Sequence, residues 1–408
     1  MPLQKQIAVL GSFLTNPQSD EYATAEELGY LLARHGYGVI CGGHGGISNA
    51  LVSGVGRGGG LVRGVAMEGP RYPRRNAGMN PLVTETVQVS SIAGRLETLA
   101  GADGYIFFSG GIGTLAEFAF IWHSRQLARD FGRPLILLSR DLGRLLEEIR
   151  QRMMIKHKYF RLVHFSERPR DALAILTRDY SLRYDNSGNI LYKQAVGFDL
   201  DGIIVESPEE TFIRVCENGG YFFRPAEVIA AFRESRRFPT PPGGAATPLI
   251  CILEKLGITG RSAGDLAAEL RRELSQVPAL HDDVADILRH FKENGFFTVA
   301  LSPRPPAQAQ EILAAHSLTH CFDCVAATDR TAGRPLWGQL EKALAAAGVP
   351  RQGMLHISDA LSYAPPAASR RGVTSVLLDR YLGGHCKNGT VVIRCLDELK
   401  YLVRRESG

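Results

Sequence analysis

The chain has 408 residues, a formal net charge of +5, 45% apolar and 22% charged residues, and seven cysteines. This length exceeds the size at which one hydrophobic core usually keeps growing, so we expect two domains of a soluble globular protein. The mild, unclustered charge falls short of a nucleic-acid-binding surface, and no segment reaches the roughly 20 apolar residues of a membrane span. The first residues do not resemble a signal peptide, so we expect a cytoplasmic location, and scattered cysteines without framework spacing predict reduced thiols.

The first 180 residues alternate short β-branched runs with amphipathic helical patterns. Helical spacing is clearest in residues 20–36, where Ala25, Leu28, Leu31 and Leu32 fall on one face. This alternation predicts a Rossmann-like, doubly wound parallel sheet, which binds ligands at the carboxyl ends of its strands. The predicted strands are residues 7–13, 38–43, 61–67, 85–90, 104–110, 134–139 and 161–166.

A polar segment with an Asn-Ser-Gly turn signal interrupts this rhythm, and we place a linker at residues 183–194, between domains 1–182 and 195–408. A second α/β unit begins with the strand in "QAVGFDLDGIIVES". Helical patterns from about residue 208 to 290 predict an inserted helical cap. Strands are then expected at residues 296–302, 353–359, 374–379 and 390–395.

Two glycine-rich turns follow predicted strands of the first domain. They are "CGGHGGISNAL" (41–51) and "SGGIGTLAE" (109–117). Glycines let backbone amides approach an anion, and the helix that follows adds its positive end, so each turn suits a phosphate. Neither is a Walker loop, and the turn after the first strand lacks GxGxxG, which disfavours a hydride-transfer enzyme. Alternatively, Thr114 and Glu117 form a T-x-x-E capping box that serves only the helix end.

These turns resemble those of the Lonely Guy family, nucleoside 5′-monophosphate phosphoribohydrolases, over roughly residues 5–180. The family's GGxxGxM-like turn is matched by Gly42, Gly43 and Gly46. Its PGGxGTxxE motif is matched by Gly110, Gly111, Gly113, Thr114 and Glu117. Ser109 stands where the family has proline, and Ser48 where it often has methionine.

The resemblance implies hydrolysis of an N-glycosidic bond. Glu117 would stabilise the positive charge that develops on the ribose, and Arg95, near the place of a family arginine, would act with it. Ser12, the first glycine turn and the amides of residues 110–114 would bind the 5′-phosphate. Apart from the resemblance, the basic run at 71–75 is expected in a loop facing the same end, where it either attracts phosphate or, as we favour, is solvated surface. The alternatives are that Ser12 closes a turn and that Arg95 is an exposed helix arginine. A homodimer is also expected by resemblance.

The second domain carries "VGFDLDGIIVES", in which Asp199 and Asp201 directly follow a hydrophobic strand. Two acids there are costly unless they have a function. The motif resembles motif one of the haloacid dehalogenase superfamily. By resemblance Asp199 is the phosphoryl-accepting nucleophile and Asp201 the general acid and base. A Mg²⁺ ion would be held at Asp199, at the backbone of Asp201 and at the later acid Asp359.

The remaining superfamily motifs are weaker. Ser302 suits motif two, as a hydroxyl on the phosphoryl oxygens. Arg334 stands where motif three has lysine, with Lys342 as the fallback, and Ser362 and Tyr363 stand where motif four has its second acid. The alternative is a relic domain that only binds or dimerises.

Together these patterns favour a bifunctional enzyme. Its first domain would release free base and ribose 5-phosphate from a nucleoside monophosphate, and its second would remove phosphate from a related ester with Mg²⁺. Two alternatives stay open. One is a nucleotide-binding or sensing protein with an inert second domain, and the other is a phosphatase with a binding-only first domain.

Overall fold

The computed structural model describes residues 5–67, 78–128, 132–181, 190–235, 247–329, 334–335, 337–359, 372–380 and 391–406. The chain divides into two compact units. The first unit is Met1–Ile149 with Lys158–Ser187, and the second is Arg150–His157 with Gly188–Gly408. Residues 183–189 of the predicted linker and the basic run 71–75 lie outside the described residues.

The first unit contains a seven-stranded sheet with the order β4-β3-β2-β1-β5-β6-β7, and every strand pair in it is parallel. This confirms the predicted doubly wound sheet. The strands are β1 (Gln6–Leu10), β2 (Gly38–Cys41), β3 (Val62–Met67), β4 (Glu85–Val89), β5 (Gly104–Phe107), β6 (Leu135–Leu137) and β7 (Val163–Phe165).

Helices follow most of these strands along the chain. They are α1 (Asp20–Arg34), α2 (Gly46–Gly58), α3 (Ile92–Ala100), α4 (Ile112–Ala128), α5 (Arg140–Arg152), α6 (His157–Phe160) and α7 (Pro169–Thr177). The hydroxyl of Ser19 caps α1 by accepting from the Tyr22 amide at 3.2 Å. Helices α1 and α2 pack closely because Gly29 and Gly54 have no side chain. A Cβ at either position would overlap the backbone of the other helix.

The strand order reverses between β1 and β5, where the chain leaves the sheet earlier than predicted. β1 ends at Leu10 rather than residue 13, and β5 at Phe107 rather than residue 110. The Ser12 amide donates to the Ser109 carbonyl at 2.8 Å, so the two loops are joined. We call the position of this reversal the switch point of the sheet. Open α/β sheets bind ligands at such a point.

The second unit contains another seven-stranded sheet, with the order β12-β11-β10-β9-β13-β14-β15. Its pairs are parallel except for β11 with β12, and β8 pairs separately with β16. The predicted linker therefore includes a strand. The strands are β8 (Leu191–Lys193), β9 (Ala195–Asp199), β10 (Phe297–Ser302), β11 (Cys324–Asp329), β12 (Arg334–Pro335), β13 (Met354–Asp359), β14 (Thr374–Leu378), β15 (Val391–Ile393) and β16 (Val403–Arg405).

Four helices between β9 and β10 share a hydrophobic core of their own, which confirms a helical cap. The next helix, which the predicted range 208–290 included, instead packs on the sheet, with the Phe291 ring 5.9 Å from that of Phe198. The helices of the second unit are α8 (Pro208–Asn218), α9 (Pro225–Ser235), α10 (Thr247–Lys255), α11 (Gly260–Leu274), α12 (Val284–Glu293), α13 (Pro306–Ala315), α14 (Trp337–Ala346) and α15 (Leu399–Leu402). Within the described residues, no helix has the length and apolar character needed to cross a bilayer.

Candidate functional site

Arg95 and Glu117 form an ion pair in the first unit. Arg95 lies on α3 and Glu117 on α4, and Nε of Arg95 donates to Oε1 of Glu117 at 3.0 Å. Nη1 of Arg95 also donates to the carbonyl of Val65 on β3, at 2.7 Å. The two side chains are only 16% and 12% exposed. The structure therefore brings the two predicted catalytic residues of this unit together, and Arg95 is not an exposed surface arginine.

The capping-box alternative does not fit the start of α4. This helix begins at Ile112, so Thr114 lies inside the helix and not at the N-cap position. The carboxylate of Glu117 is turned to Arg95 on the neighbouring helix. Glu117 is therefore placed for a function outside its own helix end.

The second glycine turn forms an open surface at the amino end of α4. Gly110, Gly111 and Gly113 are exposed, and a Cβ at Gly111 or Gly113 would meet no atom within 4 Å. Gly110 is different, because a Cβ there would overlap the Thr114 side chain. Exposed amides at the positive end of a long helix are suited to an anion.

The first glycine turn packs against the loop that follows β1. Gly43 and Gly46 have positive φ values of 74° and 33°, and a Cβ at Gly46 would overlap the Ser12 carbonyl. A Cβ at Gly42 would lie 3.6 Å from Nη2 of Arg95. The Arg95 guanidinium thus lies beside the first glycine turn while it holds Glu117 from α4.

Ser12 closes a turn, as the alternative interpretation expected. Its Oγ accepts from the Leu14 amide at 3.0 Å, and its carbonyl accepts from the Ile47 amide at 3.0 Å. These bonds connect the loop after β1 to the first turn of α2. The Ser12 hydroxyl keeps its own proton to donate, so a phosphate contact stays a prediction.

Ser109, which stands where the resembling motif has proline, makes two contacts that the sequence did not predict. Its amide donates to Oε1 of Glu21 at 2.9 Å, and its Oγ lies 2.6 Å from that of Ser139. A proline has no amide proton, so the bond to Glu21 depends on this substitution. The bond places the Glu21 carboxylate at the switch point. No motif signals Glu21, which lies 88 residues from Ser109 in sequence.

The candidate site of the second unit lies at the carboxyl ends of β9, β10 and β13. Oδ1 of Asp199 lies 2.8 Å from Nε2 of His356. Both carboxylate oxygens of Asp201 accept from Arg304, with Nε at 3.0 and 3.2 Å and Nη2 at 2.7 Å. Sequence analysis did not predict His356 or Arg304, which lie 157 and 103 residues from their partners.

The surroundings of Asp201 are largely closed to solvent. Burial raises the pKa of the Asp201 carboxyl, and the hydrogen bond from Arg304 opposes that rise. Ser302 is 1% exposed, and its Oγ accepts from the Arg304 amide at 3.1 Å. Asp359 is also buried, and a Cβ at Gly202 would lie 2.8 Å from its Oδ2. Ser302 and Asp359 therefore lie near the two aspartates, and their roles stay predictions.

The side chains do not form the predicted magnesium site. Among the residues that the structure describes, no three or more His, Cys, Asp and Glu side chains are grouped to hold a metal ion. The carboxylate of Asp201 is engaged at both oxygens by Arg304, and one oxygen of Asp199 contacts His356. Among the described residues, Asp199, Asp201 and Asp359 are therefore not grouped as a metal site, and their side chains do not fit the implied ion.

The other predicted motif residues contribute little to this site. Arg334 lies in β12, but its side chain falls outside the described part of the chain, as do residues 362 and 363. Lys342 is exposed on α14, which agrees with a surface lysine.

Residues 4–169 match the family model described as the SLOG cluster4 family. This range is most of the segment that resembles the Lonely Guy family. No curated protein matches the chain. The chain is similar to the molybdenum cofactor binding protein from Rippkaea orientalis, at 20% identity over 44% of this chain and 98% of that chain, with a TM-score of 0.36.

Two further similar structures have comparable scores. The molybdenum cofactor carrier protein from Chlamydomonas reinhardtii is 21% identical over 43% of this chain and 97% of that chain, with a TM-score of 0.34. A HAD phosphatase from Thermococcus onnurineus is 19% identical over 51% of this chain and 96% of that chain, with a TM-score of 0.31. Each of these similarities covers only part of this chain.

Proposed function

We propose that the first unit hydrolyses the N-glycosidic bond of a nucleoside 5′-monophosphate to free base and ribose 5-phosphate. The observation that carries this proposal is the Arg95–Glu117 ion pair beside two glycine turns at the sheet's switch point. The SLOG cluster4 match over residues 4–169 supports a nucleotide-related role. The homodimer expected by resemblance stays a prediction.

The proposed reaction assigns one task to each group. Amides at the start of α4 bind the 5′-phosphate, which fixes the ribose near Glu117. The bond from C1′ to the base nitrogen breaks, and the Glu117 carboxylate stabilises the positive charge on the ribose ring. The oxygen of a water molecule bonds to C1′. The proton that this water loses ends on the departing base. Arg95 holds the Glu117 carboxylate in place through its Nε.

The second unit is proposed to hydrolyse a phosphate monoester. An oxygen of Asp199 attacks phosphorus, the bond to the ester oxygen breaks, and Asp201 gives that oxygen a proton. Water then cleaves the aspartyl phosphate, with Asp201 taking up a proton. No step is assigned to the implied magnesium ion, because the described carboxylates are not grouped to hold one.

A panel of nucleoside monophosphates and phosphate esters tests both reactions, with free base and inorganic phosphate measured separately. We expect Glu117→Ala to abolish base release and Asp199→Asn to abolish phosphate release, each leaving the other reaction intact. Glu97→Gln, on the exposed side of α3, and Asp265→Asn, exposed on α11, are the matched controls. Wild-type rates in Glu117→Ala or Asp199→Asn would remove the corresponding assignment.

One observation favours a second candidate, a protein that binds a nucleotide without cleaving it. The Ser109 amide is engaged by Glu21, where the resembling family has proline and no such bond. A carboxylate at this point changes the charge that the ligand meets at the switch point. Ligand recovered intact after prolonged incubation, together with saturable binding, would establish this function instead.

A further inference from the structure

Arg304 is a cation that none of the predicted motifs includes. One edge of its guanidinium group binds Asp201, and the other edge does not. Arg304 follows β10, and its backbone amide is tied to Ser302 at 3.1 Å. On one edge of its guanidinium, Nε and Nη2 hold both oxygens of Asp201 at 2.7 to 3.2 Å. This bidentate pair fixes the plane of the guanidinium group.

The other edge of the same guanidinium is available. Nη1 of Arg304 makes no hydrogen bond in the described structure, and its side chain is 19% exposed against 13% for Asp201. An arginine carries five N–H donors, so Nη1 and the second proton of Nη2 form a further fork. Such a fork matches two oxygens of a phosphate group.

The charges around the site require a cation if a phosphate is to approach. Asp199 and Asp359 add carboxylates at the end of the sheet where Asp201 is paired with Arg304, and they repel an anion. The described residues do not provide a metal-binding group there. Arg304 is already fixed beside Asp201 and directs unused donors away from it.

We propose that Arg304 is the phosphate-binding cation of the second unit, and that this unit binds phosphate without a divalent metal ion. The inference rests on the proposed phosphohydrolase function, which gives the site a phosphate to bind. Asp201 acts as the anchor of Arg304 in addition to its assigned role in proton transfer. Ser302 positions the Arg304 backbone instead of contacting the ligand, because its hydroxyl is buried.

The test is calorimetric titration of the full-length protein with inorganic phosphate in the presence of EDTA. We expect binding by the wild-type protein, a loss of roughly tenfold to a hundredfold in affinity in Arg304→Gln, and only partial recovery in Arg304→Lys. Arg289→Gln, an exposed arginine on α12, is the matched control. Only the component that depends on Arg304 counts, because the first unit is also proposed to bind phosphate.

Two results would overturn the inference. One is wild-type phosphate affinity in Arg304→Gln, and the other is binding that is absent in EDTA and restored by Mg²⁺. Where Arg304→Gln fails to fold, Arg304→Lys, which keeps the charge, takes its place in the same comparison with the wild-type protein in EDTA. The proposed function and the inference can fail separately. If phosphate binds through Arg304 but no ester is hydrolysed, only the proposed function is contradicted. If hydrolysis requires Mg²⁺ and is unchanged in Arg304→Gln, only the inference is contradicted.

Discussion

Arg95 and Glu117 lie 22 residues apart on two helices, yet Nε of the first donates to Oε1 of the second at 3.0 Å. The same guanidinium reaches the Val65 carbonyl and lies beside Gly42. One arginine therefore contacts β3 and α4 and lies beside the first glycine turn. A carboxylate held in this way keeps one position relative to the amides of α4, which a reaction at a fixed sugar carbon requires.

The first prediction concerns the support that Arg95 gives to Glu117. In Arg95→Lys we expect the rate of base release to fall about 100-fold, because a lysine ammonium does not reproduce the divergent bonds from Nε and Nη1. The measurement is kcat and KM for base release. Glu97→Gln on the same helix should behave like the wild type, and an unchanged kcat in Arg95→Lys would contradict the positioning role.

The second prediction concerns the amides at the start of α4. Gly113→Asp adds a negative charge where the phosphate is proposed to bind, without a steric clash, since a Cβ there meets no atom within 4 Å. We expect the dissociation constant for a nucleoside monophosphate to rise at least about tenfold at low salt. Gly113→Asn has the same shape without the charge and should bind with little change. Equal affinities for the two variants would rule out an anion site here.

The third prediction separates two neighbouring glycines by stability. A Cβ at Gly110 would overlap the Thr114 side chain, whereas one at Gly111 meets open space. We expect Gly110→Ala to lower the free energy of unfolding by about 1–3 kcal/mol and Gly111→Ala to change it little. Urea denaturation followed by circular dichroism measures both. Equal destabilisation would show that the turn has a different conformation.

The fourth prediction concerns the pH dependence of the second unit's stability. Burial tends to raise the pKa of Asp283, but its ion pair with Arg380 at 2.7 Å and the Leu396 amide bring that pKa below its ordinary value. A lowered pKa in the folded state stabilises the fold above the unfolded pKa of about 3.9. This stabilisation is lost as the pH falls through the folded pKa.

Asp283→Asn removes this contribution and leaves a buried guanidinium without its carboxylate. We expect it to lower the free energy of unfolding by about 3 kcal/mol at pH 7 and to flatten the decline of stability below about pH 4. Urea unfolding of wild type and variant at several pH values measures both effects. Asp282→Asn, at an exposed neighbouring position, is the control. A pH profile identical to that of the wild type would exclude Asp283 as a contributor.

The sequence predicted the parts of the fold that depend on local patterns. All seven strands of the first unit and the glycine turns lie where periodicity and glycine spacing placed them. Strand ends were less well predicted, because residues 11–13 and 108–110 leave the sheet to form the loops at the switch point. The β8–β16 pair was missed, because the two strands lie far apart in sequence and no local pattern links them.

In the candidate sites too, residues within local motifs were predicted and their long-range partners were not. Residues within motifs, such as Glu117 and Asp199, were identifiable because their neighbours in sequence carry the pattern. Arg304, His356 and Glu21 were not, since each meets its partner across more than 80 residues of chain. These long-range partners decide the charge of each site and whether a metal ion fits it.

The central claim is that Glu117 acts directly on the glycosidic bond of a bound nucleotide. It is tested most directly by a single-turnover reaction with excess enzyme, in which intact nucleotide, free base and ribose 5-phosphate are separated and quantified for wild type and Glu117→Gln. We predict equal amounts of base and ribose 5-phosphate from the wild type, and a rate at least about 100-fold lower from the variant with its nucleotide affinity retained. Nucleotide that stays intact on the wild-type protein, or equal rates for both proteins, would contradict the claim.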